Sequence, residues 1–512
     1  MLVKTYGSAV YGVNATTITV EVNVSEGIKF FLVGLPDNAV KESQQRIEAA
    51  LKNNGYKMPG KKVVVNMAPA DIRKEGSSYD LTIAMGVLAA SEQIFTPDLE
   101  KYIIMGELSL DGSVLPIKGS LPIAIEALKK GFKGFILPKE NAREAAIVDK
   151  LEVLGVSNIR EVIDHFTGDA IIQPEVFNTR EEFMNKQSQS EFDFSDVKGQ
   201  ENIKRALEIS AAGGHNVILI GPPGAGKTML AKRLPTILPP LTLVEALETT
   251  KIHSVAGKMG KEKGLISVRP FRSPHHTISD VALVGGGGIP QPGEISLAHN
   301  GVLFLDELPE FKRTVLEVMR QPLEERKITV SRARFSVEYP ASFMLIASMN
   351  PCPCGYYNHP EKDCVCGPGI VQKYLSKVSG PLLDRIDLHI EVTPVSFNEL
   401  NKERQSEHSS DVRARVIAAR QIQAERYKDT PEIFCNAQMN TKQLRSLCKL
   451  SEAGNSLLKN AMDRLGLSAR AYDRILKVAR TIADLANATD IGTEHLAEAI
   501  QYRSLDRDGW AG

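Results

Sequence analysis

The segment NVILIGPPGAGKTML, residues 216–230, constrains the fold of this 512-residue chain more than any other. A short apolar run typical of a buried strand is followed by a glycine-rich turn and then by a helical pattern. In that context the spacing Gly-x-x-x-x-Gly-Lys-Thr is the phosphate-loop motif. Its glycines let backbone N–H groups turn toward a phosphate, and the following helix presents its positive end. The segment therefore predicts a nucleotide-binding α/β fold with a parallel sheet.

The motif also predicts a role for each of its residues. Lys227 would reach the β- and γ-phosphates of ATP, and Thr228 would hold Mg²⁺. A chance strand–turn–helix with this spacing is the alternative. The predicted nucleotide-binding residues of the loop are Gly221, Pro222, Pro223, Gly224, Ala225, Gly226, Lys227 and Thr228.

A second apolar run, GVLFLDE, ends in the two carboxylates Asp306 and Glu307. Burying a strand that ends in two carboxylates is costly unless a cation is bound there. Asp306 is predicted to bind Mg²⁺, and Glu307 to polarise the attacking water as general base. Taken alone, such a strand more often simply meets solvent. Together with the phosphate loop it predicts the hydrolytic half of one site.

Four of the six cysteines lie between residues 352 and 366, in two Cys-x-Cys pairs. Four thiolates converging on Zn²⁺ form a closed tetrahedral site, whose role would be structural. Reduced surface thiols or a redox switch are the alternatives, and His359 could replace one ligand. The predicted zinc ligands are Cys352, Cys354, Cys364 and Cys366.

The chain carries 62 basic and 62 acidic residues, so its formal net charge is zero. A net charge of zero excludes a positive electrostatic field over the whole protein, so any contact with nucleic acid must depend on a local group of basic residues. The N-terminus lacks the apolar segment of a signal peptide, and no apolar run is long enough to span a bilayer. We expect a cytoplasmic protein without a membrane partner.

The distribution of patterns predicts several domains. Short strand and helix patterns alternate over residues 1–170, and a polar stretch at 171–192 has the composition of a linker. A second α/β unit follows over 193–395, with the cysteine cluster as an insert at 350–368. Charged helical patterns dominate residues 396–512.

Several of these motifs together resemble a known family. DFSDVKGQ, the phosphate loop, LFLDE, the strand ending at Asn350 and GPLLDRID are similar to AAA+ ATPases of the magnesium-chelatase-related type. Within that group the chain resembles the YifB/ComM family, since RPFRSPHHTISDVALVGGG and the cysteine pairs also fit it. The resemblance implies an α/β fold with a Lon protease-like N-terminal domain, an AAA+ P-loop NTPase core and a C-terminal helical lid domain.

The same resemblance implies further site residues and a ring. Val197, Gly199 and Gln200 would lie near the adenine, and Asn350 would be the sensor that orients the water. Arg385 resembles an arginine finger supplied to a neighbouring subunit, so a homo-oligomer is implied and a hexamer expected. Arg470 resembles the second sensor, with Arg474 as a weaker candidate. Ordinary surface ion pairs are the alternative for the arginines.

Between the carboxylates and Asn350, the segment ERKITVSRARFSVEYPASF alternates as two strands around a basic tip. Its position resembles that of the hairpin that related ring motors point into the central pore. Arg332 and Arg334 are therefore candidates for DNA phosphate contacts, with a merely solvated turn as the alternative. The preceding glycine-rich insert contains His275 and His276, to which we assign no chemistry.

The run GELSLDGSVLPIKGSLPIAIEALKKGFKGFILPKEN resembles the proteolytic domain of Lon proteases, and Ser78 falls at the position of their nucleophile. Leu121 stands where their catalytic lysine is expected, and Lys118 lies three positions earlier. Because a serine nucleophile needs a base within hydrogen-bond reach, this domain is expected to have lost peptidase chemistry.

The resulting hypothesis is an ATP-hydrolysing ring motor. The resemblance implies action on branched or single-stranded DNA, including helicase-type branch migration during recombination of incoming DNA in transformation. A protein-remodelling ATPase of the magnesium-chelatase type, a Lon-like Ser/Lys peptidase and a non-enzymatic nucleotide switch are the alternatives. Glu307 and Arg385 argue against the switch.

Overall fold

A computed structural model describes residues 1–178, 192–260, 264–287, 290–332, 335–357, 359, 361–394, 407–430 and 433–503. Most of the stretch expected to be a linker therefore lies outside the described residues. The described residues form two sheet-based units followed by a group of helices. None of the helices in these ranges is long and apolar enough to cross a membrane.

The N-terminal unit is built on a mixed seven-stranded sheet. Its strands in chain order are β1 (Leu2–Tyr11), β2 (Asn14–Ser25), β3 (Phe30–Val33), β4 (Lys62–Ala68) and β5 (Tyr102–Ile104), then a small hairpin of β6 (Glu107–Leu108) and β7 (Val114–Leu115), then β8 (Gly134–Pro138) and β9 (Glu152–Val156).

The order across the sheet is β3-β4-β2-β1-β5-β8-β9. Strand β4 shows why these segments pair: Val63, Val65 and Met67 alternate into the core while their neighbours are half-buried. The helices that pack on the sheet are Asn38–Lys41, Ser43–Asn53, Asp80–Ala90, Ser120–Lys129, Lys139–Ala145 and Ile159–Thr167, with a 3-10 turn at Leu99–Lys101.

The second unit contains a five-stranded parallel sheet. Its strands are β10 (Val217–Ile220), β11 (Phe271–Arg272), β14 (Val302–Leu305), β17 (Met344–Met349) and β18 (Leu388–Glu391), in the order β11-β14-β17-β10-β18. The residues of β10, β14 and β17 are buried throughout, as expected for strands covered on both faces. The three apolar runs singled out in the sequence are thus its central strands, which confirms the predicted parallel α/β core.

Two short hairpins accompany this sheet, β12 (Gly285–Gly286) with β13 (Gln291–Pro292) and β15 (Lys327–Arg332) with β16 (Phe335–Pro340). The helices of this unit are Glu201–Gly213, Lys227–Ile237, Leu243–Val255, Asp280–Val284, Glu294–Leu297, Arg313–Val318, Arg320–Glu325, Pro368–Leu375 and Gly380–Leu383, with 3-10 turns at Phe194–Asp196 and Leu308–Glu310.

The C-terminal residues are helical, as the sequence predicts. The helices are Ser409–Arg426, Thr441–Leu447, Glu452–Leu465, Ala469–Leu485 and Thr493–Gln501, with a 3-10 turn at Asn436–Gln438. Helix Ala469–Leu485 buries Ile475, Val478 and Ile482, whose spacing of three and four residues forms an apolar stripe along one face of the helix. The stripe belongs to one hydrophobic core that these helices share with helix Glu201–Gly213 and the parallel sheet.

A separate small hydrophobic cluster joins the N-terminal unit to the parallel-sheet unit. Leu121 and Ile147 of the first unit pack with Leu241, Ala246 and Leu265 of the second. Beside them the Gly119 N–H donates to the Ser254 carbonyl oxygen at 3.1 Å.

Candidate nucleotide site

The phosphate loop connects β10 to helix Lys227–Ile237 at the carboxyl edge of the parallel sheet. Gly224 and Gly226 adopt φ of 78° and 84°, a left-handed conformation that glycine takes without steric cost. Lys227 Nζ donates to the carbonyl oxygens of Gly221 at 2.7 Å and Pro222 at 2.9 Å. The loop thus curls around its own lysine.

Lys227 also reaches across the sheet. Its Nζ donates to Oδ1 of Asn350 at 3.1 Å, at the end of the neighbouring strand β17. Burial lowers the pKa of Lys227, and the charges of Asp306 and Glu307 act in the opposite direction. The predicted sensor and the predicted phosphate-binding lysine therefore belong to one cluster with both carboxylates.

Asp306 is held by groups that fit a magnesium site. Thr228 Oγ1 donates to Asp306 Oδ2 at 2.7 Å, and the Ser348 hydroxyl donates to Asp306 Oδ1. Mg²⁺ prefers hard oxygen ligands and takes few of them from the protein, with a nucleotide and water supplying the others. A hydroxyl and a carboxylate in direct contact, next to the phosphate loop, supply such ligands. Thr228 and Asp306 are the residues that would hold the ion.

Glu307 follows Asp306 in a left-handed backbone conformation, with φ of 54°, and 59% of its side chain is exposed. Its carboxylate Oε2 lies 3.9 Å from Nδ1 of His276. The His276 ring lies 4.1 Å from that of His275, centroid to centroid, and packs edge-on against Phe311.

His276, like Ser348, is a site residue to which the sequence analysis assigned no role. It follows β11, which pairs with β14, and β14 leads directly to Glu307. Polar groups that follow neighbouring parallel strands meet at one edge of the sheet, but the residues before His276 form no apolar run that would have marked β11 as a strand. The short length of β11, two residues, concealed it.

The segment predicted to lie near the adenine contacts the phosphate loop. Gln200 Nε2 donates to the Ala225 carbonyl oxygen at 2.8 Å. Val197 is buried, and Gly199 and Gln200 both adopt positive φ immediately before helix Glu201–Gly213. This turn therefore lies beside the phosphate loop, where a bound nucleotide would extend.

The three candidate arginines lie at the opposite edge of the sheet. Arg385 is buried, and its guanidinium binds Glu324 at 2.5 Å and the Pro381 carbonyl oxygen at 2.6 Å. Arg470 is 59% exposed and lies 3.8 Å from Asp384.

Arg474 pairs with Asp387 at 2.8 Å. Burial by itself would raise the pKa of the Asp387 carboxyl, but Arg474 and His215 outweigh this effect, so the pKa lies far below its usual range. Asp387 immediately precedes β18, and Leu388 pairs with Val217 at the start of β10. The phosphate loop follows the other end of β10. In this chain the start of β18, beside which these arginines lie, is thus a strand's length, about 13 Å, from the phosphate loop.

The four clustered cysteines converge. The Cys352, Cys354 and Cys364 sulfur atoms lie 3.3 to 3.6 Å apart, and all four sulfurs, with that of Cys366, lie within 4.8 Å of one another. Tetrahedral zinc with bonds of about 2.3 Å places sulfurs about 3.8 Å apart, whereas a disulfide requires about 2.05 Å. The four thiols fit zinc without His359, whose Nδ1 accepts from the Glu361 N–H at 3.0 Å.

The cysteine loop packs against the phosphate loop. Gly355, with φ of 85°, lies so close to Pro223 that a Cβ on it would be 2.4 Å from the proline Cδ. Sequence reasoning placed the cluster between Asn350 and Arg385 but did not predict this contact.

The basic hairpin forms as predicted, with β15 and β16 paired from Lys327 opposite Pro340 to Arg332 opposite Phe335. Arg332 thus stands at the tip of the hairpin, and Arg334 lies outside the described residues. The hydroxyl of Tyr11, at the end of β1, donates to the carbonyl oxygen of Ser336 in β16 at 3.1 Å. This hydrogen bond joins the hairpin to the N-terminal unit.

Two of the three positions expected for Lon-type chemistry, Leu121 and Lys118, lie at the contact between the two units. Leu121 is fully buried in the cluster that joins them. The Lys118 side chain lies against Gly257 of the second unit, where an added Cβ would be 2.9 Å from Lys118 Cε. Ser78 contributes its carbonyl oxygen to the Gly106 N–H at 2.8 Å.

Comparison with known proteins agrees with this arrangement. Three family profiles match: "Magnesium chelatase, subunit ChlI" over residues 193–400, "Subunit ChlI of Mg-chelatase" over residues 20–141, and "Magnesium chelatase, subunit ChlI C-terminal" over residues 406–503. A partial relative, Lon protease 2 of Bacillus subtilis, is 33% identical over 159 residues, 28% of this chain and 27% of its own.

Several relatives, including the following two, match nearly from end to end. Competence protein ComM of Haemophilus influenzae is 44% identical over 505 residues, 98% of this chain and 97% of its own length. Uncharacterized protein YifB of Escherichia coli is 45% identical over 502 residues, 98% of this chain and 96% of its own. The family resemblance read from the motifs is thereby confirmed: the chain belongs to the YifB/ComM family of magnesium-chelatase-related AAA+ ATPases.

Proposed function

We propose that this protein is an ATP-hydrolysing ring motor that moves along DNA and drives branch migration. The observation that carries the proposal is that the hydrolytic residues and the candidate arginines lie at opposite edges of one sheet. Lys227, Asp306, Glu307 and Asn350 form a hydrolytic cluster at one edge, and the candidate arginines lie at the other.

At the hydrolytic edge each residue has a chemical task. Bound ATP and Mg²⁺ supply the phosphoryl group and its charge neutralisation. Lys227 places a cation at the phosphates, Thr228 and Asp306 offer oxygen ligands, and Asn350 orients water. Glu307 accepts the proton from that water at its exposed carboxylate.

The other edge supports assembly into a ring. An arginine can stabilise the charge of a phosphoryl-transfer transition state only in contact with it. Because Arg385 and Arg470 lie beside the start of β18, a strand's length from their own phosphate loop, they would serve the loop of a neighbouring subunit. For Arg385 this requires release of Glu324. A closed ring gives every subunit such a neighbour, and a hexamer is the expected size.

Three features support DNA as the substrate. The hairpin of β15 and β16 presents Arg332 at its tip, at the position where related motors contact their substrate. Arg334 is the second candidate contact. One relative of similar length is a competence protein, so recombination of incoming DNA is the proposed setting. Branched or single-stranded DNA would be the substrate.

We also propose that the cysteine cluster binds structural zinc and that the N-terminal unit is a Lon-like domain without peptidase activity. The sulfur spacing supports the first. The partial similarity to a Lon protease and the burial of Leu121 support the second.

The alternative is a protein-remodelling ATPase like that of a magnesium chelatase, which the three family profiles favour. Both functions use the same hydrolytic cluster. The two functions differ in the substrate. The YifB/ComM relatives are similar to this chain over nearly its whole length, including the N-terminal unit.

One experiment separates the two functions. ATP turnover is measured without DNA, with linear DNA and with a four-way junction, and movement of the junction is followed by release of labelled strands. A DNA motor hydrolyses faster with DNA and moves the junction. A protein-remodelling ATPase responds to neither DNA.

Glu307→Gln is the control for these assays. The variant should bind ATP normally but lose at least about a hundredfold in turnover, because the general base is gone. Glu310→Gln, on the exposed turn just beyond, should retain activity. Normal hydrolysis by Glu307→Gln would remove Glu307 from its proposed role.

A further inference from the structure

A small cavity lies at the amino edge of the parallel sheet, on the side away from the phosphate loop. It has a volume of about 60 Å³ and is lined by residues that precede β14 and β17, by the start of β15 and by two segments of the C-terminal helices. Its charged lining residues are Arg269, Arg326, Arg420 and Glu245. Three guanidinium groups thus share one cavity with a single carboxylate.

Arg269 and Glu245 satisfy each other and the surrounding backbone. Glu245 accepts from both terminal nitrogens of Arg269, at 3.1 and 3.2 Å. The remaining N–H groups of Arg269 donate to the carbonyl oxygens of Pro239, Pro240 and Asn300. All five N–H donors of Arg269 are therefore hydrogen-bonded. The Arg269–Glu245 pair lines the cavity but adds no unpaired charge to it.

Arg326 and Arg420 are not neutralised in this way. Among the described residues, the hydrogen bond recorded for the Arg326 guanidinium is one to Ser342 Oγ at 3.5 Å, and no carboxylate lies within ion-pair distance. Arg420 donates to the carbonyl oxygens of Ala211, at 3.0 and 3.3 Å, and Phe434, at 3.2 Å. Both therefore keep donors and a full charge in the cavity.

The surroundings add positive charge. Lys477, near Arg326, donates to the Ala437 carbonyl oxygen at 3.1 Å, and burial together with neighbouring cations lowers its pKa to about 8. One carboxylate near these cations, Asp387, already pairs with Arg474 at 2.8 Å and His215 at 3.3 Å. Burying like charges with so little counter-charge is costly, so this arrangement favours binding of an anion.

Size and geometry define the anion. About 10 to 15 Å³ of such volume holds one water, so the cavity has room for about five non-hydrogen atoms. A phosphate ion has that size, and guanidinium groups donate in pairs to its oxygens. A nucleoside does not fit. We propose that this cavity is a second oxyanion site, which binds one orthophosphate ion between Arg326 and Arg420.

The site connects three structural elements of the proposed motor. Arg326 begins the basic hairpin, because its carbonyl oxygen accepts the Ala341 N–H at 2.8 Å where β15 and β16 start. Arg420 lies in helix Ser409–Arg426 of the C-terminal group, and Ser342 leads into β17. Bound phosphate would therefore hold the hairpin base, the sheet and the helical lid together. The proposal does not depend on DNA being the substrate.

The test separates this cavity from the phosphate loop. Full-length Lys227→Ala, which lacks the cation of the phosphate loop, is titrated calorimetrically with sodium phosphate against sodium chloride of equal ionic strength. We expect saturable binding of one phosphate per chain and a melting temperature raised by about 2 °C at saturating phosphate.

Adding Arg326→Gln to this background should weaken phosphate binding at least about tenfold, because charge-assisted hydrogen bonds are lost. Arg160→Gln, an arginine 67% exposed in the N-terminal unit, is the matched control and should leave binding unchanged. Arg420→Gln provides a second variant if Arg326→Gln fails to fold. Absence of phosphate binding in Lys227→Ala, or equal binding in the cavity and control variants, would overturn the proposal.

Discussion

At the scale of single residues, Glu307 shows how the site is prepared by the backbone. A left-handed conformation costs a residue other than glycine about 1 kcal/mol or more, and such strain is retained where the surrounding structure enforces it. Here the following turn does so, since the Glu310 N–H donates to the Glu307 carbonyl oxygen at 2.8 Å. The conformation leaves the carboxylate exposed and facing His276.

His276 is therefore expected to position Glu307 for proton transfer. His276→Ala should lower kcat for ATP about tenfold and leave KM nearly unchanged, because the carboxylate loses its neighbour while the phosphate loop stays intact. Steady-state ATPase assays measure both. His275→Ala, which changes the adjacent ring, is the control. An unchanged kcat in His276→Ala would show that the 3.9 Å contact has no part in hydrolysis.

At the scale of elements, the cysteine loop brings four sulfur atoms together and also packs against the phosphate loop. If zinc orders this loop, removing the metal with a chelator should raise KM for ATP several-fold, because Gly355 no longer holds Pro223. Metal content and KM are measured on the same sample, and restoring zinc should restore both. A metal-free protein with unchanged KM would contradict the coupling.

Gly355→Ala tests the same contact without touching a ligand. The new Cβ would lie 2.4 Å from Pro223 Cδ, and the φ of 85° disfavours alanine. We expect a raised KM with zinc content retained. Gly367→Ala, where an added Cβ meets nothing within 4 Å, is the matched control. Loss of zinc in Gly355→Ala would mean that the substitution disturbs the cluster instead.

The contact between the N-terminal unit and the core is predicted to depend on pH through Glu144. This residue is buried, its Oε1 accepts the Leu121 N–H at 3.0 Å, and burial raises its pKa despite polar neighbours that partly offset the effect. Its contribution to stability is therefore fully present below the unfolded pKa of about 4.3 and is lost as pH rises through the folded value.

Glu144→Gln keeps the acceptor and removes the charge. Relative to the native chain, its melting temperature should be higher by about 1 to 2 °C near pH 8, and the difference should vanish toward pH 4. Thermal unfolding of both proteins across this range measures it. A difference that does not vary with pH would show that Glu144 does not titrate between the folded and unfolded states.

At the scale of the whole molecule, the separation of the arginines from their own phosphate loop predicts complementation between subunits. Lys227→Ala and Arg385→Ala should each be inactive alone. When the two are co-expressed, an intact phosphate loop of one variant can face an intact arginine of the other, at about a quarter of the interfaces.

Restored ATPase activity in the co-expressed mixture, up to about a quarter of the native value, is the expected result. Because Arg385 is buried against Glu324, Arg470→Ala provides a second, exposed arginine variant for the same mixture. No restoration with either partner would show that the arginines act within their own subunit or serve only the fold.

Much of this organisation could be predicted from local patterns. A buried parallel strand is a continuous apolar run, and a phosphate loop requires glycine and lysine at fixed offsets, so β10, β14, β17 and the cluster of Lys227 with Asp306 followed from the sequence. The resemblance to the YifB/ComM family rested on these same short motifs, and the full-length relatives confirmed it.

The remaining features depend on contacts between segments far apart in the chain, which no local spacing encodes. His276 meets Glu307 only because β11 and β14 are neighbours, and Gly355 meets Pro223 only because β17 lies beside β10. The cationic cavity unites Arg326 with Arg420, 94 positions apart, in a chain whose net charge of zero gives no sign of it. The nucleotide chemistry could be predicted from residue order, because its motifs are short continuous segments. Which charges lie together without partners became visible only in the fold, because pairing depends on the packing of whole elements.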